Sequence, residues 1–441
     1  MSDIWPQRES TNGSIDVYQP NQQAAPGTYP LPAGRGLWRF TLHKRAFADN
    51  VPTSATAIVE LADVRSRRLT QELNKATTLI FSVEGHSPSA ALIRELQHDV
   101  IAWRWDDQQG KDVPLFRGPV TQAQDTLSEQ TYTVNFTCHD YLAMLARRFL
   151  TAPANYSQWD QDDIAYDLIH QRAQLVSTSS GVSLNPGAYL PLVALAVDPA
   201  SVARAHSGQL RDRNYLGNQS VFDAVTQLGA VINGFDFDDC PGPRLNAAWT
   251  ENQLRIFYPY QGVLRTNPAL IYGVTVSTVT RSIDSAQYAN YQRALGNNNS
   301  SDSSVPQLYG ETWNTDANNI TVAPQGLWMA VDNAADVSIQ STLNAQAQGN
   351  LSRSAVLTGS YSLTLRPGFY SLGAPNMGDV VPLIIQAGRL NVNTTIRVVG
   401  IDYNIGDDGQ EDVILTVGRP DTTIADIFTA TDTDVNALAR R

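Results

Sequence analysis

From residue 37 onward the apolar side chains recur at every second position, and that period constrains the fold more than any other feature of the sequence. Trp38, Phe40 and Leu42 alternate with Arg39, Thr41 and His43. Leu79, Phe81 and Val83 repeat the pattern, followed by Ile101, Trp103 and Trp105 and by Tyr132, Val134 and Phe136. Successive side chains of a strand point to opposite faces, so each run predicts a strand with one buried face, in an antiparallel sheet or barrel. Residues 115–120, Leu-Phe-Arg-Gly-Pro-Val, read as a further strand that kinks at Gly118-Pro119. Asp140 is placed to cap a closing helix that carries Tyr141, Leu142, Leu145 and Phe149 on one face.

The same period returns toward the C-terminus. Tyr361, Leu363 and Leu365 alternate, as do Val413, Leu415 and Val417, and Asp407-Asp408-Gly409 predicts a hairpin turn between strands at 396–403 and 411–417. Within this block Ile339, Leu343, Ala347 and Leu351 step by four and mark the narrow apolar stripe of a helix. The middle of the chain mixes periods. Ile164, Leu168 and Leu175 fit a helix face with Asp160 or Asp162 near its positive end. Ser220 opens a capping-box-like start to a helix bearing Val221, Val225, Leu228 and Ile232. Residues 235–238 and the set Leu254, Ile256 and Tyr258 read as strands, and 177–214 as a long loop.

The expected fold class is therefore α+β, mainly β. Five parts follow: an extended arm at 1–36, whose prolines exclude a helix; a strand-rich domain at 37–150; an α+β connecting domain at 151–262; a second strand-rich domain at 263–420, with a polar loop near 297–325; and a polar tail at 421–441. The arm has no hydrophobic period and is expected to order only against a neighbour.

Composition narrows the function. With 43 acidic and 31 basic side chains the chain carries −12, whereas a sequence-independent nucleic-acid binder needs a basic footprint to displace counterions. A wall past which DNA slides without adhering remains compatible with that charge. The first residues show neither the basic nor the apolar region of a secretory signal. The longest apolar run, 189–197, is interrupted by Pro191 and falls short of the ~20 residues that span a bilayer, so no membrane span is expected. Cys138 and Cys240 allow one disulfide at most, which excludes a stapled secreted scaffold. Arginines number 28 against three lysines; this marks either heavy use of bidentate ion pairs at interfaces or the codon usage of a GC-rich genome.

The search for chemistry returns little. There is no glycine-rich loop followed by Lys-Ser/Thr and no Cys-x-x-Cys pair. Gly85-His86-Ser87-Pro88-Ser89 lacks the second glycine of a nucleophile elbow. His139-Asp140 is half of a metal-ligand pair, but His43, His86, His98, His170 and His206 do not sit at ligand spacing around it, and a helix cap is the expected role. Asp236, Asp238 and Asp239 offer paired carboxylates of the kind that hydrolyse glycosides. On a strand beside alternating aromatics, an i, i+2 carboxylate pair is ordinarily the wet face of a half-buried sheet, and no acid/base partner lies nearby in sequence. Core packing accounts for most aromatics, with Trp249 and Trp313 as candidate exposed ones. The sequence designates no catalytic, cofactor-binding or metal-binding residue and no cofactor.

In their order, these elements resemble bacteriophage tail-hub proteins, the baseplate-hub and tail-associated (minor tail protein) family. The resemblance lies in residues 99–105, then 115–120, then 132–136 leading into the helix at 140–150. It continues through Asn218-Gln219-Ser220-Val221-Phe222-Asp223-Ala224, Asn233-Gly234-Phe235-Asp236-Phe237 and Leu254-Arg255-Ile256-Phe257-Tyr258-Pro259. Ala289-Asn290, the helix at 337–351, Gly378-Asp379-Val380-Val381 and Arg397-Val398-Val399-Gly400-Ile401 complete it, covering roughly residues 37–420.

The resemblance implies that the two strand-rich blocks are tube-like β-barrel domains of a homotrimer, whose six barrels imitate six tube subunits. Such a hub adapts the hexameric tail tube to a threefold tip and lines the channel for the tape-measure protein and then DNA. Its implied partners are a distal tail protein or tail tube protein, the tape-measure protein, and tail fibre or tip proteins. Its implied place is the virion tail tip, after assembly in the host cytoplasm and with a part in genome ejection. No lysozyme or peptidase module accompanies the pattern, so no enzyme activity is expected. The alternative is a receptor-binding tail protein, which would turn aromatics and the 297–304 loop outward, or a carbohydrate-degrading one, which would need a carboxylate pair in a cleft.

Overall fold

The runs of alternating apolar residues form strands where the sequence places them: Trp38–Lys44, Thr78–Glu84, His98–Asp106, Tyr132–His139, Gly359–Leu365 and Glu411–Val417. The structure is a computed structural model describing residues 37–44, 47–48, 51–52, 57–107, 109–173, 192–196, 207–215, 217–229, 233–241, 244, 252–283, 285, 288–296, 307–313, 326–333, 340–354, 359–407 and 410–418. The arm, the tail, the 297–304 loop, Leu175, Ile232, Trp249 and Ile339 lie outside these residues. The protein is mainly β, and the chain divides into two compact units, 1–279 with 362–417, and 280–361 with 418–441.

In the larger unit the strands join a sheet of 13 members. Its path runs Val276–Ile283, Gly359–Leu365, Glu411–Val417, Leu390–Ile405, Arg65–Glu72, Thr78–Glu84, Tyr132–His139, Lys111–Leu127, His98–Asp106, Trp38–Lys44, Ala57–Glu60. Leu270–Ile271 and Val380–Ala387 pair beside it. The strands near the two ends of the chain meet at one antiparallel seam, where Gly400 faces Glu72 and Ile405 faces Arg67. The buried faces share one aromatic-rich core. Trp38 stacks on Phe40 at 6.3 Å and meets the edge of Tyr403 at 5.2 Å, and Phe81 packs on Phe136 at 5.4 Å.

The kink expected at Gly118-Pro119 has a clear function in the topology. The 17-residue strand Lys111–Leu127 pairs with His98–Asp106 up to Pro119 and with Tyr132–His139 from Val120 onward. The register slips twice, leaving Leu115 and Thr121 unopposed, as bulges do when a strand turns a corner. A Cβ on Gly118 would lie 1.9 Å from the carbonyl oxygen of His139, so only glycine fits there. The 16-residue strand Leu390–Ile405 behaves alike, pairing first with Val380–Ala387 and then with Glu411–Val417 and Arg65–Glu72.

Several sequence expectations are corrected. Strand Trp38–Lys44 is buried on both faces, because Arg39, Thr41 and His43 are covered as fully as their apolar neighbours. Their polar groups find partners inside: Arg39 forms ion pairs with Asp112 at 3.2 Å and Glu60 at 3.7 Å, and Thr41 Oγ1 accepts from Trp103 Nε1 at 2.8 Å and bonds His43. The helix after Asp140 covers only Tyr141–Leu145, and Phe149 is 53% exposed. The backbone of 148–150 is instead committed to a ladder with 218–221, through Val221 N to Arg148 O and Leu150 N to Gln219 O. The stretch 177–214 is not all loop. Leu192–Ala196 forms a strand parallel to Asn252–Phe257, and Leu210–Tyr215 pairs with Ala154–Asp160. Tyr258 falls just past the end of its strand and is half-exposed.

The connecting segment builds its own core. Tyr141, Leu142, Leu145 and Leu150 join Ile164, Leu168, Val221, Val225, Leu228, Phe235, Phe237, Leu254 and Ile256 in it. Of the two acids expected near the positive end of helix Gln161–Asp167, Asp160 caps it by accepting from Asp162 N, and Ser220 Oγ accepts from Asp223 N before helix Val221–Gly229, as expected.

The smaller unit is a three-stranded sheet in the order Tyr309–Trp313, Tyr291–Leu295, Met329–Asn333. Helix Gln340–Ser354 covers one side through Leu343 and Ala347, which pack on Ala294. Gly310 permits this approach, since a Cβ there would lie 2.3 Å from the backbone of Leu343.

Candidate functional site: buried joints and an uncovered sheet face

The carboxylates singled out by the sequence sit at joints between chain segments. Asp236 is buried, and its Oδ2 receives Arg397 Nη2 at 2.5 Å and the backbone N–H of Gln261 at 2.8 Å, while Oδ1 receives Asn74 Nδ2 at 3.1 Å. Arg397, 1% exposed, also donates to the carbonyls of Gly378 and Gln261. Next to it, Asp379 takes Val263 N, Asn376 N and Arg265 Nε. Residues from five places in the chain, 74, 236, 261–265, 376–379 and 397, thus close on one buried polar knot. Gly262 and Gly378, both with positive φ, let two backbones touch there; a Cβ on Gly262 would meet the Gly378 carbonyl carbon at 2.1 Å.

Asp238 is held by Arg255 and by Gln261 Nε2 at 2.9 Å. Asp239 accepts from Tyr141 N at 2.8 Å. The three carboxylates of this strand are therefore engaged by arginine, amide and backbone donors, with Gln261 shared by Asp236 and Asp238. His139 and Asp140 also diverge: His139 Nδ1 bonds Thr121 Oγ1 at 2.7 Å, and Asp140 caps its helix by accepting from Leu142 N. Among the described residues no group of three or more metal-ligating side chains occurs, and no helix is long and apolar enough to cross a membrane. Cys138 and Cys240 are free and buried.

A second joint fastens the two ends of the chain. Arg104 forks onto Glu411, whose Oε2 also accepts Trp38 Nε1 at 2.7 Å, and the guanidinium lies 5.2 Å from the Tyr370 ring. Burial disfavours the Arg104 charge, yet the hydrogen bond and charge of Glu411 outweigh it and raise its pKa. Six arginines, 39, 104, 117, 255, 265 and 397, form such ion pairs inside the chain. Sequence reading associated arginine with interfaces but had no signal for which carboxylate each one meets, because the partners lie up to 307 residues away.

In the smaller unit the sheet face opposite the helix is exposed. Trp313, 47% exposed, stacks on Tyr291 at 6.4 Å, and Arg293 lies 4.4 Å from the Tyr309 ring while pairing with Glu311. Met329 and Val331 extend this face on the neighbouring strand. Trp313 is thus an outward aromatic, as the sequence allowed.

No protein-family model matches the chain. No curated protein matches it either. Solved structures do. The 43 kDa tail protein of prophage MuSo2 from Shewanella oneidensis aligns with 87% of this chain and 99% of its own length, at 12% identity and a TM-score of 0.54. This is the fold of phage tail proteins. A tail protein from Neisseria meningitidis aligns with 88% of this chain and 99% of its own length, at 11% identity and a TM-score of 0.53. A prophage tail protein from Listeria monocytogenes covers 90% of this chain and 99% of itself, at 12% identity and 0.51. The likeness in fold to these tail proteins runs through both the strand-rich blocks and the segment between them.

Proposed function

We propose that this chain is the homotrimeric hub of a phage tail tip, joining the hexameric tail tube to a threefold tip and lining the channel for tape-measure protein and DNA. The observation that carries the reading is the agreement in fold with tail proteins along 99% of their length. The two long strands that exchange partners, one in each strand-rich block, fit two tube-like β domains in one chain. A structural rather than catalytic role fits the engagement of Asp236, Asp238 and Asp239 with arginine and backbone donors.

In this reading the partners are the distal tail or tube protein, the tape-measure protein and the tip or fibre proteins. The protein resides in the virion tail tip after assembly in the host cytoplasm. Native mass spectrometry of the purified protein and imaging of the particle test it: three copies on the tail axis are expected, and a solitary monomer away from the axis overturns it. Three copies carry about −36, which suits a channel wall that offers DNA no foothold; an electropositive lumen would contradict that part. Deleting residues 1–36 is expected to leave the unfolding midpoint unchanged while weakening docking to the neighbouring tail protein, measured by co-sedimentation.

The uncovered Trp313–Tyr291 face favours one second reading, a receptor-binding tail protein. Direct binding of the purified chain to host cells, lost in Trp313→Ala, would favour it over the hub.

A further inference from the structure

Among the carboxylates of the larger unit that meet an arginine are Asp99, Asp112, Asp236, Asp238, Asp379 and Glu411. Asp140 and Asp239 have no such partner among the described residues. Both turn to the start of helix Tyr141–Leu145 instead. Asp140 is buried and accepts from Leu142 N at 3.0 Å and from Thr77 N at 2.6 Å. Asp239 reaches the same turn from strand Asp236–Cys240 and accepts from Tyr141 N at 2.8 Å. Two carboxylates bound to adjacent N–H groups of one turn are close neighbours, and two negative charges that close cannot both persist without water or a cation.

We propose that Asp140 and Asp239 share a single proton at neutral pH, and that this proton fastens the end of strand Tyr132–His139 and its helix to strand Asp236–Cys240. Among the described residues, the charged groups near the pair have other partners. Arg117 faces Asp99, which also takes the Tyr141 hydroxyl; Arg255 faces Asp238; Lys75 lies against Glu72. Asn252 projects from strand Asn252–Phe257, and the thiols of Cys138 and Cys240 are kept protonated by burial. Burial also lowers the pKa of His139, which leaves that ring neutral. For the pair itself, burial pushes Asp140 up to about 7, against backbone hydrogen bonds that pull it down. Asp239 is pushed well above the usual carboxylate range by burial and then by the charge of Asp140.

A carboxyl whose pKa is raised on folding stabilises the native state below its unfolded value, near 3.8, and loses that contribution as pH rises through the folded value. His139 acts in the opposite sense, and only below its ordinary value of 6.5. A fall in stability above that pH has the sign expected of the carboxyl pair, and the comparison with Asp239→Asn assigns it. The full chain is unfolded in urea between about pH 6.5 and pH 8, as wild type and as Asp239→Asn. In the wild type the unfolding constant is expected to rise by up to about tenfold per pH unit. In Asp239→Asn the second charge is gone and Asp140 stays raised by burial alone, so the rise is expected to be smaller and to end at lower pH. A flat wild-type profile, or an unchanged slope in Asp239→Asn, overturns the proposal. If that variant does not fold, carboxyl-carbon NMR of wild-type protein labelled at aspartate decides: one resonance titrating near or above neutrality supports the shared proton, and titration of every aspartate below about pH 5 overturns it.

Discussion

Replacing Arg397 by methionine is expected to lower the unfolding free energy by about 3–5 kcal/mol, because it leaves the buried Asp236 carboxylate without its cation. Asp236 would keep only Gln261 N and Asn74 Nδ2 as donors, and the carbonyls of Gly378 and Gln261 would each lose one. Removing both charges in Asp236→Leu/Arg397→Met is expected to recover much of that loss, since the cost of a broken buried pair is mainly the stranded charge. Denaturant unfolding of the two variants measures both effects. A single-variant loss below about 1 kcal/mol would show that the knot contributes little to holding these segments together.

Gly118→Ala is expected to cost about 3 kcal/mol or more, or to prevent folding. The added methyl group would overlap the His139 carbonyl, and the atoms it meets are all backbone of 139–140, so no flexible side chain can give way. Gly349→Ala is the matched control. That glycine lies within helix Gln340–Ser354 with open space around its Cβ position, and alanine there should gain up to about 1 kcal/mol in the smaller unit. Comparable losses at both sites would refute the corner assigned to Gly118.

Much of this architecture was legible in the sequence because local rules govern it. The alternating runs at 38–42, 79–83, 101–105 and 132–136 became strands, and the caps at Asp140, Asp160 and Ser220 formed where their side chains predicted. Local rules failed where tertiary contacts decided. Phe149 continues the helical spacing of Leu145, yet a ladder with 218–221 ends the helix first. The apolar run that includes Leu192–Ala196 has no period of two, so alternation could not reveal its strand. Arg39, Thr41 and His43 read as a wet face because nothing local shows that a second layer covers them. The knot around Asp236 was visible only as a suspicious cluster of carboxylates. Its chemistry is set by Arg397, which lies 161 residues away.

The seam between Arg65–Glu72 and Leu390–Ile405 has a consequence for biosynthesis. Thr70 and Asp402, which touch across it, are 332 residues apart, so the ribosome releases the first strand long before its partner is made. Until then, Arg65–Glu72 presents a bare edge able to recruit another nascent chain. Closing so distant a pairing is also intrinsically slow. A message truncated before residue 390 would leave that edge open for good, and its product is expected to aggregate rather than serve as a shorter working part.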